Sequence, residues 1–379
     1  MNVSPAFAMA HASAETGAAD WGKLAFACVE QLGAMAQRAT LGFIYVTDAF
    51  ADDLASIVAF LKRTTSIREW VGTVGIGIVA DREYFDHPAI AILAAALPAD
   101  AHHLIPNFTD DVAALRDATD WAARVHPTLA VVHADPRTQN LVETVQALSR
   151  TTSTFLVGGL SSSRGTMDQV AGRVVRGGVS GVMLAPDLAV VTGLSQGCSP
   201  FGETHTITAG QQNVIFELDG KPALDVFKGD IGEVLARKLS SLGGYIHAAF
   251  PITGSDTGDY VVRNLVGIDP NRGWLAVGDH VAVGQQVLFV RRDRDAAVRD
   301  LTTMLSKLKR RLAGPARAGL YFSCLARGPN LFGPDSAELR IVRQELGEFP
   351  LVGMFCNGEI SNNRLYGYTG VLALFRTGH

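Results

Sequence analysis

Charge is the first thing this chain is short of. Of its 379 residues 33 are Lys or Arg and 37 Asp or Glu, 18% together, where soluble domains carry about a quarter. A net charge of −4 leaves no basic face or stripe, which excludes a general nucleic-acid binder. Cysteine is scarce too: Cys28, Cys198, Cys324 and Cys356 stand far apart with no Cys-x-x-Cys pair. That spacing excludes a disulfide framework, a zinc ribbon and covalent c-type haem attachment. Long apolar runs are missing as well; residues 90–97 come nearest and fall well short of the ~18 needed to span a membrane, so no membrane insertion is expected. The first twenty residues have Ala-x-Ala spacing but no basic residue ahead of an apolar stretch that Pro5 and His11 interrupt, so they read as a disordered tail of a cytoplasmic protein, not a signal peptide. Ten histidines supply no His-x-x-x-His pair and no clustered set, so no metal site is expected. Glycine is in surplus, 39 residues where ~7% is usual, with no period-three pattern or Gly/Ser tract. Those glycines belong to turns and close backbone approaches.

One order of elements occurs three times: helix, buried strand, amphipathic helix, a strand ending in Val-Gly, a polar loop and an apolar strand. The first copy runs LGFIYVTD, then FADDLASIVAFLKR with Leu54, Ile57, Val58 and Leu61 on one helical face, then WVGTVGIGIV and AIAILAAAL. In the second copy TLAVVHAD leads to NLVETVQAL (Leu141, Val145, Leu148 on one face), FLVGGLSSSRG and GVSGVMLAP. AGLYFSCLARG opens the third, followed by DSAELRIVRQEL (Leu339, Val342, Leu346), PLVGMFCNGEIS and TGVLALF. Strand–helix–strand steps are parallel and right-handed, while the short return to the last strand is antiparallel. The expectation is an α/β protein of two domains, with mixed β-sheets and packed helices built from internal α-β-α-β-β repeats. A β-rich stretch separates the second and third copies: a hairpin or strand-to-helix corner at Asp219-Gly220, a helix over GDIGEVLARKLSSLG, then YIHAAF, YVVRNLVGI, WLAVG and QVLFVRR as strands. It suggests a boundary near residue 222, giving a tail over 1–20 and domains over 21–221 and 222–379.

Loops after strand ends are where α/β folds keep ligand sites. The first Val-Gly loop, GTVGIGIVADREY, reads as nearly inert. The second offers Gly158, Gly159, Ser161, Ser162 and Ser163, and the third Cys356, Asn357, Gly358 and Glu359. Two readings stand: hydrogen-bonding groups for a ligand, or polar residues satisfying tight turns. Glu359, between two buried strands, needs a partner in either case. GGLSSSRG is not a phosphate loop, because it lacks the Lys-Ser/Thr and leads to a strand. Cys324, with Ser323 before it and Arg327 after, could share a crevice with Cys356 and Glu359; a cysteine nucleophile with Glu359 as base competes with small buried thiols. Cys198, in a glycine-flanked turn, reads as partly exposed. His102 and His103 read as a solvated loop, while His133, His205, His247 and His280 lie near apolar segments as axial ligands of a b-type haem or as structural imidazoles.

The ordered segments VTGLSQGCSPFGETHTIT, NVIFELDGKPALDVF, GLYFSCLARGPNLFG and PLVGMFCNGEI resemble the FIST sensory proteins, with FIST N and FIST C domains, over roughly residues 38 to 375. Matching positions are Gly197, Cys198, Pro200 and Gly202; Glu217, Leu218, Asp219, Gly220, Pro222 and Ala223; Ser323, Cys324 and Arg327; and Gly358, Glu359 and Ile360. Ser199 departs from the basic residue expected there, which weakens an anion contact at that point. The resemblance implies an intracellular signal-input protein for a small ligand such as an amino-acid-like metabolite, acting without catalysis. Some relatives resemble haem-based nitric-oxide sensors that regulate a partner histidine kinase, so haem b and such a kinase are the alternative cofactor and partner. The chain carries no output segment of its own, so the signal is expected to pass to a separate protein, with a homo-oligomer also open. The expected ligand site joins the second and third Val-Gly loops, with Cys198, Ser323, Cys324 and Cys356 near by and Glu359 and Arg327 as opposed charged anchors.

Overall fold

A computed structural model describes residues 6–15, 19–236, 244–252 and 259–376. It divides the chain into two compact units, Met1–Gln196 with Val298–His379, and Gly197–Ala297. The smaller is inserted into the larger. The expected cut near residue 222 passes through the inserted unit.

In the larger unit the first repeat comprises β1 (Ala6–Ser13), α1 (Trp21–Leu32), α2 (Met35–Arg38), β2 (Leu41–Thr47), α3 (Leu54–Thr64), β3 (Glu69–Gly75), the hairpin β4 (Gly77–Val79) and β5 (Glu83–Phe85), and β6 (Ala89–Ala96). The second comprises β7 (His102–Phe108), α4 (Arg116–Val125), β8 (Leu129–Ala134), α5 (Leu141–Thr152), β9 (Phe155–Leu160), the hairpin β10 (Gln169–Ala171) and β11 (Arg173–Val175), and β12 (Val179–Leu184). β13 (Val190–Gln196) begins the third, which the inserted unit interrupts. The inserted strands and helix are β14 (Cys198–Gln211), β15 (Val214–Leu218), β16 (Lys221–Pro222), α6 (Ala223–Ala236), β17 (Ile246–Pro251), β18 (Tyr260–Asp269), β19 (Trp274–Val277) and β20 (Gln286–Arg292). After α7 (Arg294–Leu312) the repeat resumes with β21 (Ala318–Cys324), α8 (Ala337–Leu346), β22 (Leu351–Cys356), the hairpin β23 (Glu359–Ser361) and β24 (Arg364–Tyr366), and β25 (Thr369–Phe375).

The strand orders make the repetition explicit: β1-β6-β2-β3-β10-β11, β7-β12-β8-β9-β23-β24 and β13-β25-β21-β22-β4-β5. In each sheet the strand–helix–strand pair is parallel (β2 with β3, β8 with β9, β21 with β22) and the returning strand antiparallel. The polar segment after each Val-Gly strand is a two-stranded hairpin that leaves its own sheet and pairs with the preceding repeat, the first with the third: β4 on β22, β10 on β3, β23 on β9. The three repeats are thereby stitched in a ring. The Val-Gly signature lies inside each strand, not at its end as expected, and follows from the parallel pairing. Gly72, Gly158 and Gly353 occupy the same register position, where a Cβ would overlap the carbonyl oxygen of Ile44, Val132 or Tyr321 on the parallel neighbour.

Two expectations fail at strand edges. Residues 6–13, read as part of a disordered tail, pair as β1 along the full length of β6. His102 and His103, read as loop, lie in β7, which tolerates Pro106 because it is an edge strand whose missing N–H need not face a neighbour. His102 meets Glu69 at 2.7 Å and His103 stacks on Trp121.

In the inserted unit, β14, β20, β17, β18, β19 and β15 pair antiparallel in that order, and β15 returns to β14, closing a barrel with β16 appended. Asp219 and Gly220 form the expected hairpin turn, both with positive φ. Leu224, Phe227 and Ile231 of α6 share one core with Ile207, Ile215, Leu275 and Phe289 of the strands. α6 carries a non-helical Gly232 and is described to Ala236; the rest of the expected helix lies outside the described residues.

Candidate functional site

The residues expected at the ligand site, Cys198 excepted, all belong to the larger unit, around the ends of β9, β21 and β22. Most have their polar groups engaged by other residues of the protein. Gly158 is the close-approach glycine of β9, and Gly159 is bare because the Cys356 side chain occupies the space its Cβ would need. Ser161 Oγ lies 2.6 Å from Thr73 Oγ1, and its carbonyl accepts from Asn357 Nδ2 at 3.1 Å. Ser162 Oγ donates to the Phe355 carbonyl at 2.5 Å and accepts from Ile76 N–H at 2.9 Å, so one hydroxyl joins all three repeats. Ser163 Oγ accepts from Gly165 N–H at 2.9 Å, and the Gly358 carbonyl accepts from Leu160 N–H at 2.8 Å. Asn357 is exposed. Cys198 opens β14 in the inserted unit and is buried, not half-exposed, with its carbonyl accepting from the Tyr260 hydroxyl at 2.6 Å.

Arg327 has a different role from the one expected of it. It is fully buried, and Glu338, on the first turn of α8, takes Nε at 2.8 Å and Nη2 at 2.7 Å. Two further donors go to the carbonyl and hydroxyl of Ser195, each at 3.3 Å. Glu338 also accepts from Tyr321 Oη at 2.6 Å, Ser323 Oγ at 3.1 Å and Gly328 N–H at 2.8 Å. Burial works against the Arg327 charge, but Glu338 outweighs it and holds the guanidinium protonated. Fully buried and bonded to Glu338 and Ser195, Arg327 is an internal strut. Glu338 was missed from the sequence, although it stands four residues before Val342 on the apolar stripe of α8, where a carboxylate signals a buried partner.

Glu359 is also fully buried. Its Oε2 accepts from Thr369 N–H at 3.1 Å and Thr369 Oγ1 at 2.7 Å, while Oε1 finds no nitrogen or oxygen donor. Cys324 and Cys356, register partners on β21 and β22, complete the cluster. Burial pushes the Glu359 carboxyl up to about 8, against the bonds from Thr369. Burial, then the Glu359 charge, pushes both thiols upward, the opposite of what a nucleophilic cysteine requires.

At the centre of the ring, equivalent positions on β2, β8 and β21 bring together Tyr45, His133 and Phe322, with centroids 5.5, 6.1 and 5.9 Å apart and edge-to-face geometry in every pair. All three are fully buried. Tyr45 Oη lies 3.1 Å from His133 Nε2, Nδ1 has no partner, and burial pushes the imidazole down to about 3. This close packing leaves no room beside His133 for a porphyrin. In the inserted unit His205 has a carboxylate at each ring nitrogen, and His280 is exposed. His133 and His205 therefore do not fit axial ligation of a haem.

An open cavity of about 370 Å³ lies where the β4–β5 hairpin of the first repeat meets α8 of the third. Asp81, Arg82, Glu83, Asp335, Ser336, Leu339, Arg340 and Arg343 line it. Glu83 N–H donates to Ser336 Oγ at 2.9 Å, and Glu83 Oε1 accepts from Leu339 N–H at 3.1 Å, so the hairpin supplies the cap of α8. Its Oε2 has no partner. Burial, then the neighbouring Glu338 charge, pushes the Glu83 carboxyl up to about 7. Asp335 and Ser336 both take positive φ (60° and 54°) to deliver the chain into α8. Nothing in the first loop's composition marked Glu83, because its neighbour Glu338 is 255 positions away in the chain.

Residues 40–221 match the FIST N domain and residues 223–362 the FIST C domain. The chain belongs to the FIST family, whose domains are sensory and not catalytic, which supports a signal-input role. It is 34% identical over 364 residues to the uncharacterized protein Rv0628c of Mycobacterium tuberculosis, covering 90% of this chain and 92% of that one. It is also 33% identical over 354 residues to the uncharacterized protein Mb0898c of Mycobacterium bovis, covering 87% of each. Among the described residues no helix is long and apolar enough to cross a membrane.

Proposed function

We propose that this chain binds a small polar ligand carrying charges of both signs, in the cavity at the N-terminus of α8, and passes the bound state to a separate partner protein. One observation carries the reading: that cavity and the buried Arg327–Glu338 pair share α8, with Glu83 and Glu338 adjoining at its first turn. The size is at the lower end for small-molecule sites, and convergent polar groups supply the orientation. A ligand cation beside Glu83 favours the ionised carboxyl that burial and Glu338 disfavour. Arg82 and Arg340, both exposed, are placed for an anionic group. Binding that favours one arrangement of the α8 cap shifts the population of the Glu338–Arg327–Ser195 chain behind it, and Ser195 stands one residue before the first unit breaks off at Gln196. The residues around Glu359 then form the interior that the ligand biases, not the surface it touches.

Native mass spectrometry of the purified full chain, followed by thermal-shift measurement against the twenty free L-amino acids and a set of small dicarboxylates, tests this. The expected result is a bound mass or a stabilising shift that Arg340→Ala and Glu83→Gln each abolish. No bound mass and no shift, or binding indifferent to both substitutions, overturns the assignment.

A further inference from the structure

The inserted unit holds an arrangement that the ligand reading does not use. His205 on β14 has Nδ1 2.7 Å from Asp219 Oδ2 and Nε2 2.9 Å from Asp230 Oδ2. Asp219 stands in the β15–β16 turn and Asp230 on α6, so one ring joins three elements. An ionised carboxylate only accepts hydrogen bonds, and a ring facing acceptors at both nitrogens satisfies them only by donating at both, which is the imidazolium form. The seat is built for this. Asp219 Oδ1 accepts from Thr206 N–H at 2.8 Å, and Gly202, at φ +68°, leaves the space that a Cβ would take from the Asp230 carboxylate. The Phe289 ring lies 6.4 Å from the imidazole and itself packs against Phe227 of α6 at 4.7 Å. The histidine and Asp230 side chains are only 11% and 13% exposed.

We propose that His205 is a pH-sensitive latch of the inserted unit: with both nitrogens protonated it ties α6 and the β15–β16 turn to β14, and on giving one proton to solvent it lets one of them go. The charged groups facing it are Asp219, Asp230 and, through Asp219, Lys221 on β16. Burial alone favours the neutral ring, but the hydrogen bonds to Asp219 and Asp230 prevail and raise its pKa above the usual 6.5. A raised histidine pKa contributes stability fully below the unfolded value, and that contribution is lost as pH rises through the folded one. The latch therefore holds in mildly acidic solution and opens on the alkaline side of its titration. This gives the inserted unit a response to pH that does not depend on a ligand in the larger one.

Imidazole ¹⁵N NMR of the full chain across pH 5.5–9 reads the ring directly. The expected result is an imidazolium at about pH 6.5 with an apparent pKa above that value, moved down in Asp230→Asn. Hydrogen exchange of the α6 amides, corrected for intrinsic rates, is expected to speed up several-fold as pH crosses that pKa. In His205→Gln it is fast throughout. A neutral ring at pH 6.5, or α6 protection that stays flat while the ring titrates, overturns the latch. If His205→Gln fails to fold, the wild-type titration and Asp230→Asn still decide it.

Discussion

The third repeat differs from the first two where the backbone does not. Matching the repeats through their close-approach glycines sets Ile44 and Val46 of β2 against Val132 and Ala134 of β8 and Tyr321 and Ser323 of β21. It also sets Ile78, which crosses to β22, against Gln169, which crosses to β3, and Glu359, which crosses to β9. All three crossing residues are fully buried. In the first repeat these places hold hydrocarbon. The second introduces a neutral amide, and Gln169 is satisfied by Ser180 and two carbonyls. The third holds the hydroxyls of Tyr321 and Ser323, both donated to Glu338 of the buried ion pair, and the carboxyl of Glu359. The apolar siblings show that the fold does not require those charges, and burying them opposes stability. A repeat that keeps them is the one in which to look for function, and it is the repeat whose helix borders the charged cavity.

The largest effect comes from stripping the third repeat of its cation. Arg327→Met leaves Glu338 buried with only hydroxyl and amide donors, and is expected to destabilise the chain by about 3–5 kcal/mol. Adding Glu338→Gln is expected to restore at least half of that, because an amide does not need a counter-charge. Urea unfolding midpoints measure both. A loss below about 1 kcal/mol for Arg327→Met would show the guanidinium to be uncommitted and would return it to the list of ligand anchors.

A smaller change makes the third crossing resemble the second. Glu359 has its pKa raised by burial, from the usual 4.5 to about 8, so the folded state binds more protons than the unfolded state between those values. Its contribution is therefore complete below about pH 4.5 and is lost as pH rises through 8. Glu359→Gln removes the titration. The expected outcome is that wild type loses stability relative to this variant between pH 5 and 8, with the two within about 1 kcal/mol at pH 5. Parallel curves across that range would mean that Glu359 ionises normally and has a donor at Oε1.

Periodicity made the threefold order legible, because each strand is a buried apolar run and each helix shows one apolar stripe. Val71-Gly72, Val157-Gly158 and Val352-Gly353 could be aligned before their reason, a carbonyl oxygen on the neighbouring strand, was visible. The crossing hairpins could not be read, because a three-residue strand such as Glu359–Ser361 carries no pattern and its partner, β9, lies about 200 residues earlier. The sequence also picked out polar residues that do gather in one region, but it took their groups for free ones. Ser162 is spent on Phe355 and Ile76, and Arg327 on a glutamate that the helical pattern had filed beside Leu339 and Val342. His205 looked like an imidazole near apolar strands because neither Asp219 nor Asp230 is adjacent to it in the chain.

The axial cluster gives the smallest and finest test of the comparison, since there the second repeat is the polar one. Tyr45→Phe leaves His133 Nε2 without its partner beside an already unpaired Nδ1, and His133→Phe strands the Tyr45 hydroxyl; each is expected to cost about 1–2 kcal/mol. Replacing both puts three phenylalanine rings around the axis and is expected to fall within about 0.5 kcal/mol of wild type, because no polar atom is left to satisfy. A double-mutant cycle on urea midpoints reads the coupling, and single losses that simply add would show that the hydroxyl and imidazole do not interact. The same pair predicts a pH dependence. Burial holds His133 neutral down to about pH 3, whereas the unfolded chain protonates it near 6.5, so wild type is expected to lose stability against the double variant as pH falls through that window. The first repeat's tyrosine thus keeps a titratable ring in the core tolerable at neutral pH, and acid is where the hydrocarbon version of the axis should prevail.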